Sequence, residues 1–293
     1  MANRKEPELT GVNSAKDFFN RIRRYKMNVP KISAFSLLIG SVGLVFTSTS
    51  TLAQNDGNCR DVPNHSQLKT ALGAAQNQTN GGFGLEMWGT IVNRDGVVCA
   101  VAFTGSDRGS QWPGSRVISA QKANTANAFS LPDLVLSTAN LFSAVQPGGS
   151  LYGLQHSNPV ETEVAYKGPS SHFGQPNDPM VGSKIGGVNV FGGGLALYKT
   201  INTLRTLVGA LGVSGDSSCA DHYIAWKTRF VLNLDSIPGG VGPSSTDNIA
   251  FDISPDAHNH PVSTGGWGHP NCNPAFYNSN PSLLVSHPVG PNP

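Results

Sequence analysis

The sequence predicts a single mixed α/β (α+β) domain in which helices pack on an antiparallel sheet. Apolar residues at helical and at strand spacing follow one another as helix, hairpin, two helices, at least three strands and a helix. Charged residues make up 13% of the 293 residues, whereas there are 34 glycines and 20 prolines. This composition predicts many turns and excludes a coiled coil, and no internal repeat is visible.

The first half of the chain carries three helical patterns and one hairpin. Leu68 and Leu72 recur at helical spacing, which predicts a helix over 67–78. Two apolar runs within 88–103 flank Asp95-Gly96, a dipeptide that favours a hairpin because glycine accepts a positive φ. Two further helices are predicted, one over 115–129 with a face of small residues, and one from Ser130 through Phe142 that Pro147-Gly-Gly149 ends.

The second half contains the remaining strands and two polar segments. Residues 157–183 are rich in Pro and Gly, so we expect a long surface loop inserted in a domain that spans 54–235. Residues 236–293 are mostly Pro, Gly, Asn and Ser and are expected to form an extended tail packed on the domain. Strands are predicted at 152–154, 185–191, 195–198 and 207–213, and a helix from Ser217 or Ser218 to about Phe230, with Asp221 in its first turn.

The first 53 residues have the layout of a secretory signal peptide. A basic stretch ends at Lys31, an apolar run extends from Ile32 to Phe46, and small polar residues lead to Ala53. The run is shorter than the roughly 20 residues of a membrane span, so we expect cleavage after Ala53, with an uncleaved anchor as the alternative. Met27 could be the true start. We therefore expect an exported protein, periplasmic or extracellular, without a membrane span in its mature part.

The charge is divided unevenly along the chain. Residues 1–31 hold 8 of the 20 Lys and Arg residues but 3 of the 18 Asp and Glu residues. The chain after residue 53 therefore has more acidic than basic residues. It lacks the basic surface that nucleic acid requires, so nucleic acid is not an expected partner.

The four cysteines lie after the predicted cleavage site, at Cys59, Cys99, Cys219 and Cys272. Export permits disulfides, and spacing alone leaves three pairings open. We expect Cys219 to pair with Cys272, because little else in the tail predicts that it packs on the domain. Cys59 and Cys99 would then form the remaining pair. Four buried free thiols are the alternative.

Four segments, in order along the chain, resemble motifs of one known family. Together they cover roughly residues 85–229 and resemble the GlcG/HbpS-like family, once called domain of unknown function 336 and related to the C-terminal domain of PduO-type proteins. The segments are Ala120-Gln-Lys-Ala-Asn-Thr-Ala126, Leu151-Tyr-Gly-Leu154, Val190-Phe-Gly-Gly-Gly194, and Val208-Gly-Ala-Leu-Gly-Val-Ser-Gly215 with the later Asp221 and Ala225.

The resemblance implies a profilin-like α/β sandwich that tends to form homo-oligomers. It also implies haem as the cofactor, or a related planar anionic small molecule, because members of the family include secreted haem-binding proteins. The loop at 157–183 and the tail look like additions to the minimal domain of this family.

The best candidate ligand site is the glycine-rich end of the last predicted strand, at Gly212, Ser214 and Gly215. The chain there opens a helix at Ser218, whose first N–H groups lack partners within the helix and can bind an anion such as a propionate. The alternative is a tight turn that only starts a helix.

Four more side chains are candidates for ligand binding. His222 lies in the first turns of that helix and is the candidate metal ligand, with a surface or capping role as the alternative. His156 is a rival ligand. Lys122 and Arg116, on the small-residue helix, could pair with a carboxylate of the ligand, with solvated charges as the alternative. His258 and the nearby tail histidines are interpreted as incidental.

Three functions follow from these patterns. The first is an exported haem- or tetrapyrrole-binding protein for sensing, storage or scavenging. The second is an enzyme of haem degradation or of small organic acids that uses the same pocket. The third is an accessory protein without a ligand. A binding protein is favoured over an enzyme, because the sequence shows no Ser-His-Asp triad, hydrolase elbow, phosphate loop or dinucleotide fingerprint.

Overall fold

The computed structural model describes residues 58–290, so the predicted signal peptide lies outside the described residues. Each helix in this part of the chain is too short or too polar to cross a membrane. The helices are α1 His65–Gln76, α2 Ser115–Phe129, α3 Leu154–Ser157, α4 Thr162–Ala165, α5 Ser218–Val231 and α6 Pro274–Ser286. The strands are β1 Trp88–Asn93, β2 Val98–Phe103, β3 Gly194–Ile201, β4 Leu204–Ser214, β5 Ile253–Pro255 and β6 Pro261–Ser263.

Four of the strands form one antiparallel sheet in the order β2-β1-β4-β3. α2 packs on one face, where its alanines meet Val92 and Ala210, and α1 and α5 pack on the other, around Ile91 and Leu211. Every residue of β1 is buried, because helices cover both faces of the sheet. The predicted fold class, an antiparallel sheet packed with helices, is confirmed.

Local side-chain chemistry explains where the first elements begin and turn. Asn64 caps α1 by accepting from the N–H of Gln67, whose side chain accepts in return from the N–H of Asn64. In the hairpin turn, Gly96 has a φ of +77°, and the Asn93 side chain accepts from the N–H of Val97 at 2.9 Å. The predictions of this helix, of the hairpin and of the helix over 115–129 are confirmed, with a shift of two residues at each end of α1.

The helix predicted from Ser130 through Phe142 is wrong. Residues 139–141 and 143–145 form two separate 3-10 turns instead. The Ser130 hydroxyl bonds to both the N–H and the carbonyl of Leu136, and such local bonds compete with a helix. The N–H of Val135 donates to the carbonyl of Gly239 in the tail, so a distant segment holds this stretch extended.

Two predicted strands are also wrong. Residues 152–154 lead into the short helix α3. Residues 185–191 make only isolated bridges, because Gly186 and Gly187 have φ values of +61° and +80° that interrupt an extended strand. The strands predicted at 195–198 and 207–213 are confirmed as β3 and β4, and the helix after Ser217 is confirmed as α5.

The two polar segments contribute to the core. The expected surface loop at 157–183 contains α4, and its Asp178 and Met180 are buried. The tail is not extended throughout, since it forms the β5–β6 hairpin and α6. Phe276 of α6 is fully buried and packs on an apolar face of α5.

Both predicted disulfides are present. Cys59 is bonded to Cys99, and Cys219 at the start of α5 is bonded to Cys272 of the tail. The second bond closes a separation of 53 residues and fixes the tail against the first turn of α5.

Candidate functional site

The glycine-rich end of β4 is packed rather than open. A Cβ at Gly212 would overlap the backbone carbonyl oxygen of Ser119 in α2, so only glycine allows the helix to lie this close to the sheet. Ser214 is also buried, and it pairs with Trp88 of β1. Gly212 therefore serves the packing of the sheet on α2, and Ser214 serves the pairing of β4 with β1.

The backbone N–H groups of Gly215 and Asp216, in the turn that leads into α5, already have a carboxylate partner. The N–H groups of Gly215 and Asp216 donate to one carboxylate oxygen of Asp221, at 3.1 and 2.9 Å. The other oxygen of Asp221 accepts from Nζ of Lys122 at 2.7 Å. Gly215 and Lys122, both predicted site residues, therefore lie close together. Both donate to the carboxylate of Asp221, a side chain of the protein and not a ligand.

The ion pair between Lys122 and Asp221 is closed off from solvent, with side chains 1% and 4% exposed. Burial lowers the pKa of Lys122 and raises the pKa of Asp221 to about 6, while their mutual attraction opposes both shifts. The alternative of a solvated charge is wrong for Lys122. The pair ties α2 to the start of α5.

His222 is fully buried behind this turn. Its Nε2 lies 3.1 Å from the N–H nitrogen of Ile249 and 3.2 Å from Oδ1 of Asn248, both in the tail. Its Nδ1 has no hydrogen-bond partner among the described residues. Burial lowers the pKa of His222 to about 3, so the ring is neutral. Its role as a metal ligand stays a prediction, and its rival His156 lies exposed on α3.

Arg116 pairs with a carboxylate, but again with one from this chain. Its Nε donates to Asp178 at 2.8 Å, a second guanidinium nitrogen contacts the other carboxylate oxygen, and a third donates to the carbonyl of Ala165. The ring of Phe173 lies 3.7 Å from the guanidinium carbon. The alternative of a solvated charge is wrong for Arg116 as well.

A cleft of about 470 Å³ lies beside Arg116. Its walls include Trp88, Val117 and Phe173, and Tyr166 and Arg108 lie at its exposed rim. The volume is within the roughly 300–1,000 Å³ that is typical of small-molecule sites.

Two features of the cleft can orient a ligand. The indole N–H of Trp88, a residue of the cleft wall, is buried and has no hydrogen-bond partner among the described residues. Arg108 is exposed and makes no ion pair in the part of the chain that the structure describes. Arg116 is the one predicted ligand residue that lines this cleft. The sequence interpretation missed Tyr166 and Phe173, because they lie in a segment that is otherwise polar.

Comparison with known proteins identifies one matching family and several similar folds. A family model described as "Haem degrading protein HbpS-like" matches residues 64–228. No curated protein matches the sequence. The crystal structure of a PduOC:haem complex is 24% identical over 58% of this chain and 91% of that chain, with a TM-score of 0.39.

Two further solved structures are similar. Protein ORFY of Klebsiella pneumoniae, a member of domain family DUF336, is 23% identical over 57% of this chain and 85% of its own, with a TM-score of 0.38. A double mutant of HbpS from Streptomyces reticuli is 14% identical over 71% of this chain and 99% of its own, with a TM-score of 0.35.

Proposed function

The chain belongs to the HbpS-like family, and from this premise we propose that its domain binds haem or a related planar, anionic tetrapyrrole. The observation that carries the proposal is the cleft between Trp88, Tyr166 and Phe173. All of its lining residues fall within the 64–228 range that the family model matches. The cleft offers apolar and aromatic walls to a ring and a cation at its rim to an acidic edge.

The lining residues fit the parts of haem. Trp88, Val117 and Phe173 can pack against the macrocycle, and Arg108 can form charge-assisted hydrogen bonds with a propionate. Tyr166 has a side chain of a type that serves as an axial ligand of haem iron. Bound haem would supply a redox-active iron, while the residues of the chain bind the ring, orient it and exclude water.

The start of α5 is the second location that we propose for the ligand. Gly215, Ser218 and His222 lie there, but a propionate would have to displace the Asp221 carboxylate from two backbone N–H groups. The cleft needs no such displacement, because its Arg108 guanidinium is exposed and makes no ion pair among the described residues. It is therefore the favoured site.

Haemin titration tests the proposal on the purified protein. We expect a Soret band that saturates near one haem per chain, and an affinity at least about tenfold lower in Arg108→Ala, since a hydrogen bond to a charged group contributes roughly 1.5–3 kcal/mol. Arg60→Ala, another exposed arginine outside the cleft, is the matched control. Tyr166→Phe should shift the Soret band if this side chain ligates the iron.

The same titration separates the alternatives. A Soret band that is altered by His222→Ala and unchanged by Arg108→Ala would move the site to α5. The absence of a Soret band in the parent protein would contradict haem binding altogether. The family description, haem degrading, favours haem degradation as the second candidate function, and product analysis after adding a reductant would detect it.

We also propose that the protein is exported and acts as a homo-oligomer in sensing, storage or scavenging. Two disulfides support an oxidising compartment, because cytosolic proteins rarely keep them. N-terminal sequencing of exported protein should begin at Gln54, and a sequence that begins at Met1 or Met27 would contradict cleavage. Light scattering measures the oligomeric state.

A further inference from the structure

A serine and a histidine are hydrogen-bonded at the start of α5, away from the cleft. Oγ of Ser218 lies 2.8 Å from Nε2 of His269. Nδ1 of the same ring lies 2.7 Å from the carbonyl oxygen of Pro270. Because a carbonyl oxygen can only accept, Nδ1 carries the ring proton, and Nε2 accepts the proton of Ser218. An imidazole in this tautomer is oriented to remove a proton from a serine.

The histidine is held in its basic form. Burial lowers the pKa of His269 to about 4, the bond to Pro270 opposes that shift, and the cation of Lys122 adds to it. At neutral pH the ring is therefore uncharged, and the lowered pKa also makes it a weaker base than a free imidazole. His269 lies outside the 64–228 range of the family, so family membership does not imply this pair of side chains.

Two backbone N–H groups lie near Ser218, and one of them contacts its oxygen. The N–H of Gly192 donates to Oγ of Ser218 at 2.7 Å, and a Cβ at position 192 would overlap the Ser218 carbonyl oxygen, so this approach requires glycine. The N–H of Cys219, the residue after the serine, lies 3.2 Å from the Cys272 sulfur, which is a weak acceptor. An oxyanion would be a stronger acceptor at the positive end of the helix dipole.

A groove of about 890 Å³ is lined by two residues that contact His269, although Ser218 and His269 themselves do not line it. The ring of Phe142 lies 5.0 Å from the ring of His269, and Phe142 and Pro270 both line the groove. Ile253 and Val262 line it as well. Ser218 itself is partly exposed. An apolar group attached to a carbonyl at Ser218 would have to extend past Phe142 and Pro270 to occupy this surface.

We propose that Ser218 and His269 form a nucleophile and general base that hydrolyse carboxylic esters with an apolar acyl group. Oγ of Ser218 forms a bond to the carbonyl carbon as its proton passes to Nε2 of His269. The bond to the alkoxy oxygen then breaks, and the leaving alcohol takes that proton. Water attacks the acyl-serine, gives its proton to Nε2, and the proton returns to Oγ as the acid leaves.

A fluorophosphonate probe tests the proposal on the purified full chain, independently of haem. We expect one covalent adduct, which peptide mapping places on Ser218. General-base catalysis contributes typically 10²–10⁴-fold, so His269→Gln should slow the labelling at least about 100-fold. Ser218→Ala should abolish both labelling and the hydrolysis of p-nitrophenyl butyrate.

Ser217→Ala is the matched control. It removes the neighbouring, similarly exposed hydroxyl and the helix cap on Ala220, but leaves Ser218 in place. It should keep both activities. An unlabelled Ser218 in the parent protein, or equal hydrolysis by Ser218→Ala, would overturn the proposal and leave the contact with His269 as a structural tie. Labelling of the parent protein needs no variant to fold, so a negative result is decisive.

Discussion

Arg116 and Asp178 form a two-point ion pair that joins α2 to the segment 157–183, and their side chains are 2% and 0% exposed. Asp178 also accepts from the N–H groups of Gly174 at 2.7 Å and Met180 at 2.9 Å. One carboxylate therefore organises the loop that carries Phe173 and Tyr166 to the cleft.

Asp178→Ala should destabilise the protein strongly. The change leaves the Arg116 guanidinium buried without its counter-charge, which typically costs about 3–5 kcal/mol. Urea unfolding measures the loss. Asp61→Ala is the control, since Asp61 pairs with Lys199 at 2.7 Å but is 65% exposed, and such pairs contribute roughly 1 kcal/mol or less. Equal losses in the two variants would contradict the role of burial.

His222→Gln should change how stability depends on pH. The folded protein keeps His222 neutral down to a pKa of about 3, whereas the unfolded chain takes up the proton near pH 6.5. Stability from the neutral ring is therefore present above pH 6.5 and is lost as the pH falls towards 3. The parent protein's advantage over His222→Gln should shrink by up to about 1.4 kcal/mol per pH unit below 6.5.

Urea unfolding of the parent protein and of His222→Gln at pH 7.5, 5.5 and 4.5 measures this difference. Burial also raises the pKa of Asp221 and Asp235 to about 6, so these carboxyls contribute folding stability as the pH falls. Both proteins contain them, so the comparison cancels their effect. A difference that stays constant from pH 7.5 to 4.5 would show that His222 is solvated.

Gly212→Ala should weaken the packing of α2 on the sheet. The added Cβ meets the carbonyl of Ser119 and the N–H of Ala123, backbone atoms that cannot rotate away. Overpacking of this kind costs typically 1–3 kcal/mol, so Tm should fall. Gly73→Ala in α1 is the matched control, because its Cβ meets no atom within 4 Å and a helical Ala gains roughly 0.5–1 kcal/mol over Gly. Calorimetry that ranks the two variants equally would refute the argument.

Removal of the tail disulfide should destabilise the domain. Replacing both Cys219 and Cys272 with Ser removes a crosslink between residues 53 positions apart. In the entropic model, this lowers the free energy of unfolding by about 4 kcal/mol. Guanidinium unfolding under non-reducing conditions measures it. Replacing Cys59 and Cys99, 40 residues apart, should cost nearly the same. An unaltered midpoint in either double variant would contradict the entropic argument.

Much of the fold was predictable because its elements have strong local signals. The hairpin at 88–103 and α1 show regular apolar spacing; the hairpin turns at Gly96, and α1 begins at its Asn64 cap. The stretch after Ser130 has a helical pattern too, but its N–H at Val135 bonds to Gly239. A contact over about a hundred residues leaves no local signal in a sequence.

The candidate site was predictable only in part, for the same reason. The sequence placed Lys122, Gly215 and His222 in one site, and the structure does bring Lys122 and Gly215 together around Asp221. The sequence alone could not reveal that the carboxylate bound by Lys122 and Gly215 is that of Asp221. The Ser218–His269 contact was equally hidden, because its two members come from distant segments.

The attachment of the tail to α5 has a consequence for the order of folding during synthesis. Trp226 and Tyr223 of α5 donate to the carbonyl oxygens of His287 and Phe276, and Cys219 needs Cys272. Until the ribosome has synthesised residues 272–287, the face of α5 that they bury stays exposed. The nascent chain therefore completes its core only late. A chaperone or an oxidase that met this intermediate would find an exposed apolar helix and a free thiol at the same place.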